Sequence, residues 1–480
     1  MKILIAQSYH RILDPKELKR NMPYPPLGPL YMGTILRNLG HEIIFHDGMI
    51  AKTTDDLKTA ISDIKPDLLL LYDDEFNYLT KMCLTNMREL AFDCINFAKE
   101  TGIPVFVYNS DAIDHSDLYL KAGCSIVIVG EAEQSTLELL QNFNCFKNKD
   151  LEFLKTIKGI KFFITQNDQY FTGNRNLLDN LDSLPDPDYS LTNIAEYKKI
   201  WLKNHKYFSI NISTTRGCPY SCNWCAKPLW GRTYGLFSPM RIVYLIENLI
   251  KEYNIDHIWI TDDIFGLKYS WLVEFSDLMK SKKIKLSKGM KCLSRADLLI
   301  KNDTLKLLSQ TGIKNIWIGA ESGSQSILDR MEKGITVDQI YKVVELSKKV
   351  DIDISFFIQF GYLHETWEDI QKTRKLIKSC VPYDIGISVS YPLPGTKFYS
   401  IVLDIMTQKQ NWIDSDDLEL LYEGNYPSKF YKLLHRFVHS EYNLIKQIKN
   451  KNKKMLYLIP FYSFMFIYFR FRLQPYLLQK

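Results

Sequence analysis

Cys218, Cys222 and Cys225 stand at C-x3-C-x2-C spacing within one short stretch, Thr214-Thr215-Arg216-Gly217-Cys218-Pro219-Tyr220-Ser221-Cys222-Asn223-Trp224-Cys225. Thiolate sulfur is a soft ligand that suits zinc and iron–sulfur clusters. Thiolates this close along the chain can converge on one metal centre without help from a distant segment. The stretch follows a run of alternating apolar residues, Phe208, Ile210 and Ile212, and its Gly and Pro mark it as a loop leaving a strand. A structural zinc site takes four ligands, and the loop holds no fourth Cys or His. Three ligands are enough for a cubane cluster whose fourth iron stays open. The competing readings are plain structural thiols, or a Cys3His zinc site completed by His205 or His257.

The elements that must position this loop read as two α/β units. Residues 1 to about 140 alternate short apolar strands with helices. The strand candidates are Ile3–Ala6, Ile43–Phe45, Leu68–Leu71, Val105–Val107 and Ile126–Val129, and a helix over Leu30–Leu39 stops at Gly40. This is a doubly wound parallel sheet, whose ligands bind beyond the carboxyl ends of the strands. Gln7-Ser8-Tyr9, Tyr72-Asp73-Asp74-Glu75, Tyr108-Asn109-Ser110-Asp111 and Gly130-Glu131 fall at that edge. No G-x-G-x-x-G follows the first strand, which argues against a dinucleotide. The acidic run Asp73-Asp74-Glu75 has no assigned role beyond a solvated loop.

A connector over 146–205 contains a hairpin strand near Lys158–Thr165 and the rigid turn Leu184-Pro185-Asp186-Pro187-Asp188. From 206 to 400 the strand–helix rhythm resumes with six strand candidates: Phe208–Thr214, His257–Thr261, Gly289–Ser294, Asn315–Gly319, Asp353–Phe360 and Gly386–Tyr391. Ser238-Pro239 gives one of the intervening helices an N-cap and a first-turn proline. Six units form a partial (β/α)6 barrel, with its chemistry at the strand C-termini. Residues 401–480 are expected to be a helical tail. It carries an acidic stretch over Trp412–Tyr422, a basic one over Lys446–Lys454, and a largely apolar one over Met455–Phe469. That last run is short of the roughly 20 residues a spanning helix needs and suits an interfacial helix or a buried one.

The net charge of +6 on 480 residues is modest, so a dedicated nucleic-acid binder is not expected. The nine cysteines are scattered apart from the triplet and odd in number, which is no disulfide framework. With no signal peptide at Met1-Lys2-Ile3-Leu4-Ile5-Ala6, a reducing cytoplasm is the expected compartment, with membrane association through the tail as an added feature.

Taken together, Cys218, Cys222, Trp224 and Cys225 match the C-x3-C-x-aromatic-C signature of the radical S-adenosylmethionine (SAM) enzymes, and the chain resembles that superfamily over residues 1 to about 440. The resemblance implies a 4Fe–4S cluster on the three cysteines, with SAM on the open iron. Pro25-Pro26-Leu27-Gly28, Leu36-Arg37-Asn38-Leu39-Gly40-His41-Glu42 and Val129-Gly130-Glu131-Ala132-Glu133 are similar, in order and position, to the cobalamin-binding domain that precedes many radical SAM barrels. Residues 1–145 are therefore expected to be a Rossmann-like domain of cobalamin-binding type. The D-x-H-x-x-G sequence that supplies a cobalt ligand in some cobalamin proteins is absent. Thr261-Asp262-Asp263-Ile264-Phe265-Gly266 stands where the family holds the SAM amino group, without the common Gly-Gly-Glu spelling. By the same resemblance Arg295 is expected at the SAM carboxylate, Glu321 at the ribose and Trp224 near adenine, with Ser322 also among the cofactor-binding residues. The loop Phe360-Gly361-Tyr362-Leu363-His364-Glu365 has drifted from the family's Gly-Phe-Pro-Gly-Glu.

The implied activity is reductive cleavage of SAM to a 5′-deoxyadenosyl radical. Its expected use is C-methylation or oxidative cyclisation of a small-molecule or lipid-like substrate, as in the branch that includes the anaerobic porphyrin ring cyclases. An electron donor such as flavodoxin or ferredoxin is implied as partner. A cobalamin-free radical SAM reaction is the alternative. A tRNA methylthiotransferase fits less well, because Cys83, Cys94 and Cys124 lie in no matching motif and the tail reads as helical. A four-ligand electron carrier lacks its fourth Cys, and a cobalamin sensor would leave SAM uncleaved.

Overall fold

The computed structural model describes residues 1–82, 84–165, 168–225, 230–449 and 458–478. Cys83, Lys451, Lys453, Lys454 and Met455, which entered the reading above, lie outside them.

Five short strands, β1 (Lys2–Ala6), β2 (Glu42–His46), β3 (Leu68–Tyr72), β4 (Val105–Tyr108) and β5 (Ile126–Ile128), pair in parallel in the order β2-β1-β3-β4-β5. Their near-continuous apolar sequence has the physical reason expected of parallel strands, because both faces are covered. Ile3, Ile5, Leu68 and Leu70 enter a core that runs on into the second unit, whereas Leu4, Ala6, Leu69 and Leu71 fill a separate core under the helices of the other face. The hairpin β6 (Ile160–Thr165) and β7 (Asp168–Phe171) adds two antiparallel strands beside β5.

The second unit is a six-stranded, wholly parallel sheet: β8 (Ser209–Ile212), β9 (His257–Ile260), β10 (Met290–Ser294), β11 (Ile313–Glu321), β12 (Asp353–Phe360) and β13 (Ile385–Val389), in the order β13-β12-β11-β10-β9-β8. Each of the six expected strands is present within a few residues of its expected limits, and the result is an incomplete barrel. Ser238 caps the helix Pro239–Tyr253 by accepting from Arg241 N.

The tail departs from a purely helical expectation. Two long helices, Ser428–Lys449 and Leu458–Leu478, pack together, but 406–427 is irregular. Its acidic residues bond to nearby backbone, Asp414 from Asp416 N at 2.9 Å and Asp417 from Ile413 N at 2.9 Å, which competes with helix formation. This segment straps the second unit to the first: Ser415 Oγ donates to Asp14 at 2.8 Å, and Trp412, fully buried, packs against Tyr391.

The two units share a buried aromatic seam. Tyr24 lies edge-on to Trp201 and Trp259 with centroids 5.1 and 4.8 Å away, and Trp201 Nε1 donates to Pro23 O at 2.7 Å. Asn211 on β8 donates to Pro25 O at 2.9 Å, just before the helix Leu27–Asn38. Removing a fully buried Trp typically costs about 3–5 kcal/mol. Trp201→Ala is expected to lose that much by urea denaturation, and an unchanged midpoint would mean the seam is not holding the units together.

Candidate functional site

The cysteine loop leaves the C-terminal end of β8 and is pinned at both ends. At its root, the Asp262 carboxylate accepts from Thr214 N at 2.6 Å, Thr215 N at 3.1 Å, Ser213 Oγ at 3.1 Å and Thr214 Oγ1. Burial pushes the Asp262 carboxyl up to about 6, against the pull of these donors. Thr215–Arg216 then pairs antiparallel with Gly235–Leu236, which closes the loop. Gly217 sits at φ +83°, and a Cβ there would lie 2.5 Å from Thr233 O, so this turn admits only glycine without rearrangement. At the far end, Asn223 N donates to Met331 O at 3.1 Å, its Nδ2 to Arg330 O at 2.7 Å, and its Oδ1 accepts from Tyr362 OH at 3.1 Å.

Cys218, Cys222 and Cys225 are each partly exposed on this loop. Burial, with Asp263 and the neighbouring thiols adding to it, pushes the Cys225 thiol up to about 12. Among the described residues no group of three metal-ligating side chains is gathered tightly enough to grip a single bare ion. Thiolates that each bind a different iron of a cluster do not need so close an approach. His205 and His257 stay away from the triplet: His205 Nε2 contacts Asn21 O at 2.9 Å, and His257 Nδ1 contacts Ser209 Oγ at 2.7 Å where β8 and β9 begin. The zinc reading therefore finds no fourth ligand in either.

Of the residues singled out in the sequence, Arg295, Glu321 and Trp224 are brought to the triplet. Arg295 follows β10. Its Nη1 lies 3.8 Å from Cys222 Sγ, its guanidinium stacks 3.7 Å from the Tyr220 ring centre, and it donates to Asp297 and to Lys333 O, each at 2.9 Å. Glu321 ends β11, where the register with β12 shifts between Gly319 and Glu321, and its φ is +58°. That bulge re-aims the side chain, at the cost of a strained backbone. Glu321 accepts from Lys333 Nζ at 2.9 Å, directly over Gly319, where a Cβ would lie 2.3 Å from the Glu321 carboxylate. Burial alone would lower the Lys333 ammonium, but Glu321 and Cys222 outweigh it and raise it. Lys333 Nζ also sits 5.7 Å from the Trp224 ring, whose buried Nε1 has no partner among the described residues.

Three of the expected residues do other work. The Asp262 carboxylate is wholly engaged in holding the loop root, as described. Asp263 reaches across to the first unit and pairs with Lys81 at 2.9 Å. Ser322 packs away from the rim, its Oγ 3.0 Å from Thr373 Oγ1 and accepting from Ser324 N at 3.1 Å.

Sequence reasoning missed Lys333, Asn223 and Arg216. Arg216, two residues before Cys218, is almost fully buried and crosses to the strand-end edge of the first sheet. It donates to Glu131 at 3.0 Å and Glu133 at 2.5 Å, among the rings of Tyr31, Phe76 and Trp230. Burial works against its charge, yet Glu133, Glu75 and Glu131 raise it well above the usual arginine range. The acidic run after β3 is buried at this edge and is no solvated loop. Asp73 accepts from Ser8 and Tyr9 N, and Asp74 accepts from Gly28 N at 3.0 Å, at the start of the helix Leu27–Asn38. That leaves Glu75, whose Oε2 is buried with no partner among the described residues. Burial raises its carboxyl well above the ordinary range; Arg216 offsets this in part, and Asp74 and Glu133 add to it.

Residues 212–377 match the family model described as the radical SAM superfamily. The chain therefore carries a radical SAM domain, as the cysteine signature led us to expect. It is 26% identical over 429 residues to an uncharacterized methyltransferase of Pyrococcus horikoshii, covering 86% of this chain and 85% of that protein. It is 23% identical over 383 residues to the anaerobic magnesium-protoporphyrin IX monomethyl ester cyclase of Rubrivivax gelatinosus, covering 78% and 66%. Among solved structures it shares its fold with the cobalamin-dependent SAM radical enzyme OxsB with aqua-cobalamin bound (TM-score 0.72, 15% identity, 98% of this chain and 71% of that one). It also shares its fold with the radical SAM methyltransferase TsrM of Kitasatospora setae, solved with cobalamin and a 4Fe–4S cluster (TM-score 0.65, 15% identity, 84% and 74%).

Breaking a buried ion pair by removing one partner typically costs about 3–5 kcal/mol, because a charge is left uncompensated. Arg216→Met is expected to lose stability of that order in chemical denaturation. Adding Glu131→Gln and Glu133→Gln to the same chain should recover part of it; no recovery would show that Arg216 acts by packing alone.

Proposed function

We propose that this radical SAM domain holds a 4Fe–4S cluster on Cys218, Cys222 and Cys225, with SAM against the surrounding rim and a cobalamin between the two units. The enzyme so formed would C-methylate or oxidatively cyclise a small-molecule or lipid-like substrate. The observation that carries the reading is the setting of the triplet: three partly exposed thiols with the Arg295 guanidinium 3.8 Å from one of them and the Lys333 ammonium beside it.

The residues present suit both groups. Three thiolates concentrate negative charge, and Arg295 and Lys333 are the buried cations that compensate it. Arg295 keeps a guanidinium edge toward the triplet for a carboxylate. Glu321 stands ready to accept from ribose hydroxyls, and Trp224 offers a ring face and an indole N–H to a purine. When bound, the cluster would supply the electron for reductive cleavage of the sulfonium C–S bond of SAM. The protein's part is to orient SAM and substrate and to exclude water and oxygen.

Between the units, among the described residues, Gln7 and Glu75 on the sheet edge and Thr215 and Arg216 opposite each keep a buried polar atom without a partner. Aromatic rings wall the same region, with Tyr72 and Tyr108 4.4 Å apart at the ends of β3 and β4. Unpaired polar atoms among flat rings suit a corrin and its amide side chains, and a cobalamin there would bring a methyl carrier within the enzyme. Both structural neighbours were solved with cobalamin bound, and the relatives are named a methyltransferase and a cyclase. We place the protein in a reducing, cytoplasmic compartment, served by a one-electron donor of flavodoxin or ferredoxin type.

Anaerobic reconstitution tests the reading. The protein should hold about four irons, a cubane's complement, and produce 5′-deoxyadenosine; the Cys218, Cys222 and Cys225 to Ala triple variant should do neither. In equilibrium dialysis, Arg295→Ala and Glu321→Ala should weaken SAM binding by about 1.5–3 kcal/mol, the usual worth of a hydrogen bond to a charged group, with iron content unchanged. Desalting after incubation with cobalamin should leave a stoichiometric corrin with a base-off visible spectrum. Full iron in the triple variant would sink the cluster assignment, and SAM cleavage without retained corrin would leave a cobalamin-free reaction in its place.

A further inference from the structure

We propose that the outward face of the helix Leu458–Leu478 is a docking surface for an anionic lipid bilayer. The helix is apolar nearly all round. Its inner face packs on the helix Ser428–Lys449: Phe466 stacks on Phe437 at 5.1 Å, Tyr476 meets Phe430 at 6.0 Å, and Phe469 and Leu473 are buried. The opposite face is apolar as well. Phe461, Phe464, Ile467 and Phe471 are 56%, 65%, 51% and 64% exposed, and Tyr468 lies beside them. At 100° per residue these positions form one continuous stripe about three turns long. Single exposed apolar residues are ordinary on a protein surface, but a contiguous aromatic stripe marks an interaction site.

The charges around the stripe select its occupant. Arg470 and Arg472, both exposed, flank it on either side, and Arg472 donates to Tyr468 OH at 3.0 Å. Beyond Glu441 the sequence has no acidic residue, and its charges are Lys446, Lys449, Lys451, Lys453, Lys454, Arg470, Arg472 and Lys480. A second copy of the same face would set these cations against their own kind. A bilayer bearing anionic headgroups instead accepts the rings at the headgroup–acyl boundary and the cations beside them. Among the described residues no helix is long and apolar enough to cross a membrane, so the contact lies in the plane of the interface.

The test is flotation of the full-length protein with vesicles of phosphatidylcholine alone and of phosphatidylcholine mixed with phosphatidylglycerol. The protein should float with the mixed vesicles and much less with the neutral ones. Phe464→Ser/Phe471→Ser should lower that partition more than about tenfold, given the apolar area withdrawn from the interface. Arg470→Gln/Arg472→Gln should erase the preference for anionic lipid. All four positions are exposed, so thermal unfolding and 5′-deoxyadenosine formation should not change. The proposal is overturned if the wild type floats with neither vesicle, if the serine variant floats as well as the wild type, or if light scattering shows a wild-type dimer that the serine variant dissolves.

Discussion

A single buried guanidinium governs how the two halves of this protein meet. Arg216 sits two residues from the first cysteine of the loop, yet its charge is satisfied in the other unit, by Glu131 and Glu133 at the end of β5. Taking three charged groups out of water is expensive, and their attraction compensates only when the geometry is well made. The arrangement is therefore weak as a source of net stability and strong as a constraint. Any shift of the sheet edge relative to the cysteine loop would strand a charge in an apolar surrounding of Tyr31, Phe76 and Trp230. The Lys81–Asp263 pair adds a second ionic crossing, and the Tyr24–Trp201–Trp259 seam supplies the apolar contact that resists separation.

The loop itself is held at its root and at Asn223, with Cys218 and Cys222 between these anchors and Cys225 two residues beyond the second. Asp262 gathers the amides and hydroxyls of residues 213–215, and Asn223 fixes the opposite end to Arg330, Met331 and Tyr362. Asp262 sits just past β9 and Tyr362 just past β12, where a parallel barrel presents its rim, and Arg330 and Met331 close the helix Gln325–Arg330 beside them. The cations follow the same logic. Arg295 and Lys333 come from different strand–helix units, are joined by a hydrogen bond from Arg295 to Lys333 O, and meet at Cys222. Positive charge is thus built into the place where the proposed cluster would bring negative charge.

Much of this was legible in the chain. Uninterrupted apolar runs such as Leu68–Leu71 announce strands covered on both faces, and C-x3-C-x2-C with an aromatic before the last Cys is a local pattern that needs no tertiary knowledge. Arg295 and Glu321 were legible because they follow strands, which places them on the rim. Lys333 was not, because it lies twelve residues beyond Glu321, past the helix Gln325–Arg330, and only the returning chain brings it back. Asp262 shows the opposite failure: its position was right, but a buried carboxylate beside four backbone and hydroxyl donors belongs to the scaffold, and sequence has no sign for which way a rim side chain turns. The run Asp73-Asp74-Glu75 looked solvated because acids usually are. Here two of the three terminate backbone amides, a role that depends on where β1 and the helix Leu27–Asn38 come to rest.

Some of the places where local rules are broken lie at the candidate site. A non-glycine residue at positive φ beside a bulge occurs at Glu321, on the rim facing the cysteines. Among the described residues, Gln7, Glu75 and Arg216 at the sheet edge each keep a buried polar atom without a partner. Each such atom costs about 1–3 kcal/mol in an isolated protein. A chain optimised for stability alone would replace Glu75, whose neighbours Asp74 and Glu133 already disfavour another charge there. Departures from local consistency concentrate where a sequence serves something other than its own fold. The division here is plain. Asp73, Asp74 and Asp262 are acids whose every demand is met by backbone and hydroxyl donors, and they build the scaffold. Glu75, Trp224 and Arg216 retain an unmet demand in the gap between sheet edge and barrel, which is where the proposed cofactors would meet it.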